Sequence, residues 1–244
     1  MEKNDLIINT IVFKEQLDVG KSQLELLDLV SNLGLSKVEI RREFLKDPKV
    51  ELSQIKRRAD ELGMTLFYSV NEDFVVGDAI NPMMSQLREE AKIIAAPFVK
   101  MNTGDADSID VSTLKEFKSE LSSGLGVMVE NNQTPHNATL ANCRLMMEKI
   151  KEADLPISFV FDTGNWAWLG EDPFVAEREL KQYTRYLHLK NYDLMNGQAS
   201  IRTLGEGRLD MLSFIKGFSD VKYIALEYPC PLEILKSDIR RIID

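Results

Sequence analysis

One pattern governs what this chain can fold into: a short apolar or β-branched run, then a longer stretch with apolar residues at helical spacing, repeated eight times. The candidate strands are 6–13, 37–41, 65–70, 98–102, 126–131, 157–162, 185–191 and 221–227. Helical patterns follow each of them, over 22–34, 52–63, 83–96, 111–123, 138–154, 173–183, 208–218 and 231–244. Gly or Asp commonly closes these stretches, as helix ends prefer. Several strands are apolar on successive residues instead of alternating, as parallel strands covered on both faces are. Each unit is about 30 residues long, the length of one strand, one helix and two connections. No linker or low-complexity stretch interrupts the series. The expectation is an α/β fold, a minimal (β/α)8 TIM barrel forming a single domain over residues 1–244. An open doubly wound sheet is the alternative, disfavoured because no Gly-rich phosphate loop follows the first strand.

Charge and composition narrow the partners. A formal net charge of −9 and a pI near 5.0 oppose binding to a phosphate backbone, which needs a Lys/Arg surface, so nucleic acid is not an expected partner. No apolar stretch approaches the length of a membrane span and no secretory leader is legible, so no membrane partner is expected and the expected location is cytoplasmic. Cys143 and Cys230, far apart in apolar company, read as two buried thiols.

In a (β/α)8 barrel the site forms at the C-terminal ends of the strands, so a polar residue that ends an apolar strand points into the mouth. Four strands end this way, at Glu130, Asp162, His188 and Glu227, spaced 32, 26 and 39 residues apart. These are consecutive strands five to eight, so the four groups should converge. Three carboxylates around one imidazole repel one another unless a cation sits among them, which points to a divalent metal. A strand-end carboxylate taken alone is more often a helix cap or a solvated charge, and a lone His among apolar neighbours is more often a satisfied core residue. Four at matching positions are harder to explain that way. Lys190 and Asn191 continue the polar rim after His188. His136 lies just past strand five, where a helix-start role is as plausible as ligation. Trp166 and Trp168 follow the Asp162-Thr163-Gly164-Asn165 turn and serve either packing or the mouth.

In this order and spacing the motifs resemble those of the xylose isomerase-like TIM barrels: sugar phosphate isomerases and epimerases, inosose dehydratases and isomerases, hydroxypyruvate isomerases and tagatose-type 3-epimerases. VEIRRE is similar to the acidic strand-two motif at Glu39, VMVENN to the strand-five motif at Glu130, and FDTGN to the Asp-Thr-Gly signature at Asp162. HLKN resembles the His-x-Lys-Asp motif at His188, LGEGRLD the Gly-x-Gly loop, and ALEYP the strand-eight motif at Glu227. The resemblance covers nearly the whole chain. It implies one divalent ion (Mn2+, Mg2+, Co2+ or Zn2+) held by Glu130, Asp162, His188 and Glu227. Glu130 and Glu227 would be the catalytic base and its partner, working through a metal-stabilised enediolate. Glu39, Asn102, Asn165, Trp166 and Lys190 are the expected substrate-binding residues. The implied activity is isomerisation or epimerisation of a small keto-sugar, cyclitol or sugar phosphate. A dehydratase using the same proton abstraction, and a non-catalytic barrel that binds a sugar-like ligand, are the alternatives.

Two positions depart from the family pattern. Asn165 stands where many members carry His, and Asn191 where they carry Asp, so two ionisable groups become amides that cannot shuttle a proton at pH 7. Strands three and four end in Ser69, Asn71 and Asn102, where histidines are common in the family. Two histidines in the chain cannot build the three-zinc cluster of the related endonuclease IV. Short rim loops are compatible with a homo-oligomer in which a neighbouring subunit closes the pocket.

Overall fold

The computed structural model describes residues 5–121 and 124–243. Eight parallel strands close into a ring: β1 (Leu6–Asn9), β2 (Lys37–Arg41), β3 (Thr65–Val76), β4 (Phe98–Gly104), β5 (Gly126–Glu130), β6 (Ser158–Asp162), β7 (Thr184–Leu189) and β8 (Tyr223–Leu226). Each strand pairs with its sequence neighbours, and the ring closes where Leu6 lies opposite Ile224. Between the strands run α1 (Gln23–Asn32), α2 (Pro48–Glu61), α3 (Met84–Ile93), α4 (Val111–Leu121), α5 (Leu140–Glu152), α6 (Pro173–Leu180) and α7 (Met211–Ile215), and α8 (Leu232–Ile243) ends the series. This is the expected (β/α)8 barrel.

Local sequence explains where the helices start. Ser22 and Glu25 form a reciprocal capping box at α1, and Asp47 and Asp172 cap α2 and α6 with Pro48 and Pro173 in the first turn. Each helix buries one apolar stripe against the outer faces of the strands, as Leu26, Leu27 and Val30 do in α1.

Side-chain alternation divides the strands into two cores. Outward residues such as Val38, Ile40, Val99, Met101, Val127, Val129, Phe159 and Phe161 join the helices in the main core. Inward residues Ile7, Phe67, Phe98, Met128, Val160, Tyr186 and Ala225 fill the barrel axis as a separate plug. Its rings pack tilted or edge-on at centroid distances of 5.4 to 6.3 Å. Two residues further along, at the same inward parity, stand Asn9, Ser69, Lys100, Glu130, Asp162, His188 and Glu227, all of them buried. The barrel thus changes from an apolar floor to a polar upper layer within one step of alternation.

The structure corrects several boundaries. The first strand stops at Asn9 instead of running to residue 13, because the Asn9 side chain accepts the backbone N–H of Ile11 and starts a 3-10 turn over Thr10–Phe13. β3 continues to Val76 with a register shift between Ser69 and Asp73, where its partner Asn102 lies in β4. β8 covers only Tyr223–Leu226 and α7 only Met211–Ile215, both shorter than expected. An antiparallel hairpin, Asn191–Met195 with Gln198–Arg202, was not anticipated; Asn196 and Gly197 at its tip both take positive φ, as a two-residue turn of this kind requires. Ser122, Ser123 and Asp244, expected to be helical, lie outside the described residues. Cys143 and Cys230 are free and buried, and no helix among the described residues is long and apolar enough to cross a membrane.

Candidate metal centre

Strand register brings the four expected donors together. Asp162 lies directly opposite His188, Glu130 is one strand away opposite Val160, and Glu227 follows the end of β8 with its N–H bonded to Leu189 O. One ligand atom from each of Glu130, Asp162, His188 and Glu227 lies within 4.8 Å of the other three. All four side chains are buried, at the floor of a cavity of about 570 Å3 whose wall includes Glu130 and Glu227.

The motifs around the donors hold the loops that aim them. Asn131 bonds both ways with the Asp162 backbone, stitching β5 to β6. Thr163 accepts the Lys190 N–H at 2.9 Å and donates to Lys190 O at 2.7 Å, stitching the turn after β6 to the end of β7. Gly164 is required there because a Cβ would sit 2.9 Å from Lys190 O. Asp162 Oδ1 accepts the N–H groups of Gly164 and Asn165. The opening apolar-to-acid transition of FDTGN is therefore a strand end that becomes its own cap.

Every rim carboxylate is also held by a cation. Arg41 at the end of β2 reaches Glu227 Oε1 at 2.5 Å, Lys190 reaches Asp162 Oδ2 at 2.7 Å, and Lys100 from β4 is ion-paired with Glu130 Oε2. Among the described residues, four carboxylates, counting Glu39, thus face three permanent cations, one of which, Arg41, is shared with Glu43, and His188 is the further group placed to balance them. His188 Nδ1 lies 2.6 Å from Glu130 Oε1 and 3.0 Å from Glu227 Oε2, while Nε2 faces Glu39 Oε2 at 3.0 Å. Burial disfavours the imidazolium, but Glu227, Glu39 and Glu130 outweigh it and hold the His188 pKa well above its ordinary value. Burial likewise opposes ionisation of Glu130 and Glu227. Lys100 and His188 bring the first below the usual carboxylate range, and His188 and Lys190 bring the second well below it. Burial dominates at Asp162, whose carboxyl is pushed up to about 7 despite Lys190.

The donor set fits a divalent ion. Ligand atoms about 2.0–2.2 Å from an ion lie about 3 Å from their neighbours in the shell, and Nδ1 keeps nearly that spacing to Glu130 Oε1 and Glu227 Oε2. Glu130 Oε1, the oxygen 2.6 Å from Nδ1, is buried and makes no well-directed hydrogen bond. Glu39 stands behind the ring with Oε2 3.0 Å from Nε2, the place an outer carboxylate takes beside a metal-ligating His. Glu39 is fixed in turn by Asn9 Nδ2 at 2.9 Å and Tyr186 OH at 3.0 Å.

The remaining expected residues divide. Asn102, Asn165 and Lys190 line the cavity with Arg41, Lys100, Asn71, Asn132 and Gln133. Glu39 lies beneath the cavity behind His188, so its place is on the imidazole and not on the wall. Trp166 is fully buried with its ring 5.3 Å from Phe161, in the layer between barrel and helices, because the 3-10 turn Asn165–Leu169 folds it back over β6. Its expected place at the mouth is therefore corrected. His136 is exposed, 3.3 Å from Asp105 and apart from the donors. Arg41, Lys100, Asn9 and Tyr186 were not singled out from the sequence. Charged residues flanked by buried ones in KVEIR and FVKMN were the available signal.

Comparison with known proteins finds no matching family model and no matching curated protein. Solved structures do match. A xylose isomerase domain-containing protein from Salmonella typhimurium superposes with a TM-score of 0.70 at 15% identity, covering 100% of this chain and 96% of that one. A D-psicose 3-epimerase studied in the presence of D-fructose gives a TM-score of 0.70 at 11% identity over 98% and 96% of the two chains. An IOLI protein with a bound zinc atom gives 0.69 at 17% identity over 98% and 95%. The likeness runs the length of the chain, which has the fold that these xylose isomerase-like and sugar-epimerase barrels share.

Proposed function

We propose that this chain is a divalent-metal-dependent isomerase or epimerase of a small keto-sugar, cyclitol or sugar phosphate. The observation that carries the reading is the bracketing of His188 Nδ1 by Glu130 Oε1 and Glu227 Oε2, with Asp162 in reach and Glu39 behind the ring. Solved barrels of the same form include a sugar 3-epimerase and a zinc-bound protein, which supports the same reading. Glu130, Asp162, His188 and Glu227 would hold the ion. Bound there, it supplies charge stabilisation worth several kcal/mol when a carbon next to a carbonyl loses its proton.

The chain's own residues do the rest. Glu130 and Glu227 enter the cavity from strands three places apart around the ring, so they address a substrate from two sides. Either carboxylate can take the proton and its partner return one, a contribution of roughly 10²–10⁴ in rate. Asn71, Asn102, Asn132, Gln133 and Asn165 ring the wall, and amides offer both donor and acceptor to hydroxyl groups. Gln133 Nε2 and Lys190 Nζ both donate to Asn165 Oδ1, so Asn165 is fixed with its position already set. Asn191 bonds Leu204 O, Leu209 O and Leu209 N, which is a structural use for an amide. The two missing ionisable groups therefore do not favour a non-catalytic barrel.

The test combines metal analysis with proton exchange. Purified protein titrated with Mn2+ should bind close to one ion per chain and catalyse solvent deuterium incorporation into at least one of a panel of ketoses, inososes and ketose phosphates. Glu130→Gln and Glu227→Gln should abolish the exchange. No bound ion at millimolar Mn2+, together with no exchange in any compound, refutes the proposal.

A further inference from the structure

Lys100 is the least expected residue in the polar layer. Its side chain is 2% exposed, it sits at the inward parity two residues after Phe98 of the plug, and its ammonium is seated on Glu130 Oε2. A buried ammonium is expensive unless paired, and a lysine stem is long enough to carry its charge out to water where the structure permits. Here the stem keeps it inside, against an oxygen of a metal donor. Arg41 and Lys190 treat Glu227 and Asp162 the same way, so each rim carboxylate has one oxygen pinned by a cation. For Glu130 the consequence is directional. With Oε2 pinned, Oε1 alone faces His188 Nδ1, and it makes no well-directed hydrogen bond.

The same ammonium has a second effect. A divalent ion gathered by Glu130 Oε1 stands one carboxylate away from the Lys100 charge, inside a buried site where like charges repel strongly. Ion and ammonium draw on one carboxylate with opposite consequences for each other. We propose that Lys100 is a positioning residue that holds Glu130 Oε2 to itself and so weakens the hold on the ion, setting the site for a loosely bound, exchangeable metal. The inference rests on the metal-dependent reading of the site.

Mn2+ titration by calorimetry, with free Mn2+ followed by electron paramagnetic resonance, tests it without reference to turnover. Lys100→Met, folded by circular dichroism, should bind Mn2+ at least tenfold more tightly than the wild type, because the competing charge is gone and Glu130 is left unpaired. Lys100→Arg, which keeps the charge, should stay within threefold of wild type. A lysine with only a structural role gives the opposite sign, since its loss disorders Glu130. Unchanged or weaker binding by folded Lys100→Met therefore overturns the proposal. Should Lys100→Met not fold, the 15Nζ resonance of the Lys100 ammonium in the wild-type protein replaces it: Mg2+ should shift that resonance along the same saturation curve as ion binding, and an unmoved resonance overturns the proposal. Wild type that binds no Mn2+ at millimolar concentration overturns the metal reading itself, and is thereby distinguished from failure of the role assigned to Lys100.

Discussion

Glu39→Gln isolates what the carboxylate behind His188 contributes. The substitution keeps shape, and the amide oxygen still accepts from Asn9 Nδ2 and Tyr186 OH, so the loss is confined to charge. In metal-free protein the buried imidazolium then keeps Glu130 and Glu227, while the oxygen 3.0 Å from Nε2 stays in place and loses its negative charge. A bond to a charged group is worth about 1.5–3 kcal/mol. For a chain of this length that corresponds to a fall in Tm of roughly 3–12 °C. The pH dependence has a definite sign. The folded pKa of His188 is raised by Glu227, Glu39 and Glu130 against the opposing effect of burial, so the stability it contributes is complete below the unfolded value of about 6.5 and fades as pH rises through the folded value. The deficit of Glu39→Gln should accordingly be largest near pH 6 and shrink toward alkaline pH. Urea unfolding in chelator across pH 6 to 9 measures it. The same variant should lose about 10- to 100-fold in Mn2+ affinity, the usual cost of removing an outer partner from a ligating His. A deficit below about 0.5 kcal/mol at every pH, with Mn2+ affinity unchanged, would refute the role given to Glu39.

Asn191→Asp, which restores the acid common in the resembling family, should destabilise by about 3 kcal/mol or more, because a carboxylate cannot donate to Leu204 O and Leu209 O. Urea unfolding measures the loss, and Mn2+ binding by the folded fraction should be unchanged, since Asn191 is not on the cavity wall. Gly164→Ala places a Cβ 2.9 Å from Lys190 O and 3.1 Å from Lys190 Cγ, which forces the Thr163–Lys190 stitch apart. It should cost about 1–3 kcal/mol by overpacking and weaken Mn2+ binding as Asp162 loses its clamp; thermal unfolding and calorimetry together check it.

Much of the fold was legible because parallel strands covered on both faces leave an unmistakable pattern. VMVE and SFVFD are apolar at both parities, one set facing the helices and one facing the plug. The misreadings have local causes. LIINTIVF is apolar enough to continue as a strand, but the Asn9 side chain captures the Ile11 N–H and turns the chain, a competition between side chain and ladder that hydrophobicity does not register. The hairpin over 191–202 carries its own Asn-Gly turn signal, yet it lies outside the eightfold repeat and exposes Leu194, Met195 and Ile201, so a search for barrel units passes over it.

The donors were legible for a reason that also shows why their partners were not. Met128 and Glu130, Val160 and Asp162, Tyr186 and His188, and Ala225 and Glu227 are each two residues apart, so the plug and the donors share one parity, and the change from apolar to acidic at a strand end exposes it. Phe98 and Lys100 obey the same rule, as do Glu39 and Arg41. A cation in a strand, however, reads as a solvated edge until the ring is closed, because nothing local distinguishes inward from outward. Closure supplies that distinction: once Phe98 is known to face the axis, Lys100 must face it too, and the carboxylate that neutralises it from one strand away is Glu130. The ion-pairing of the site is thus a property of register, computable from eight strands together and from no one of them alone.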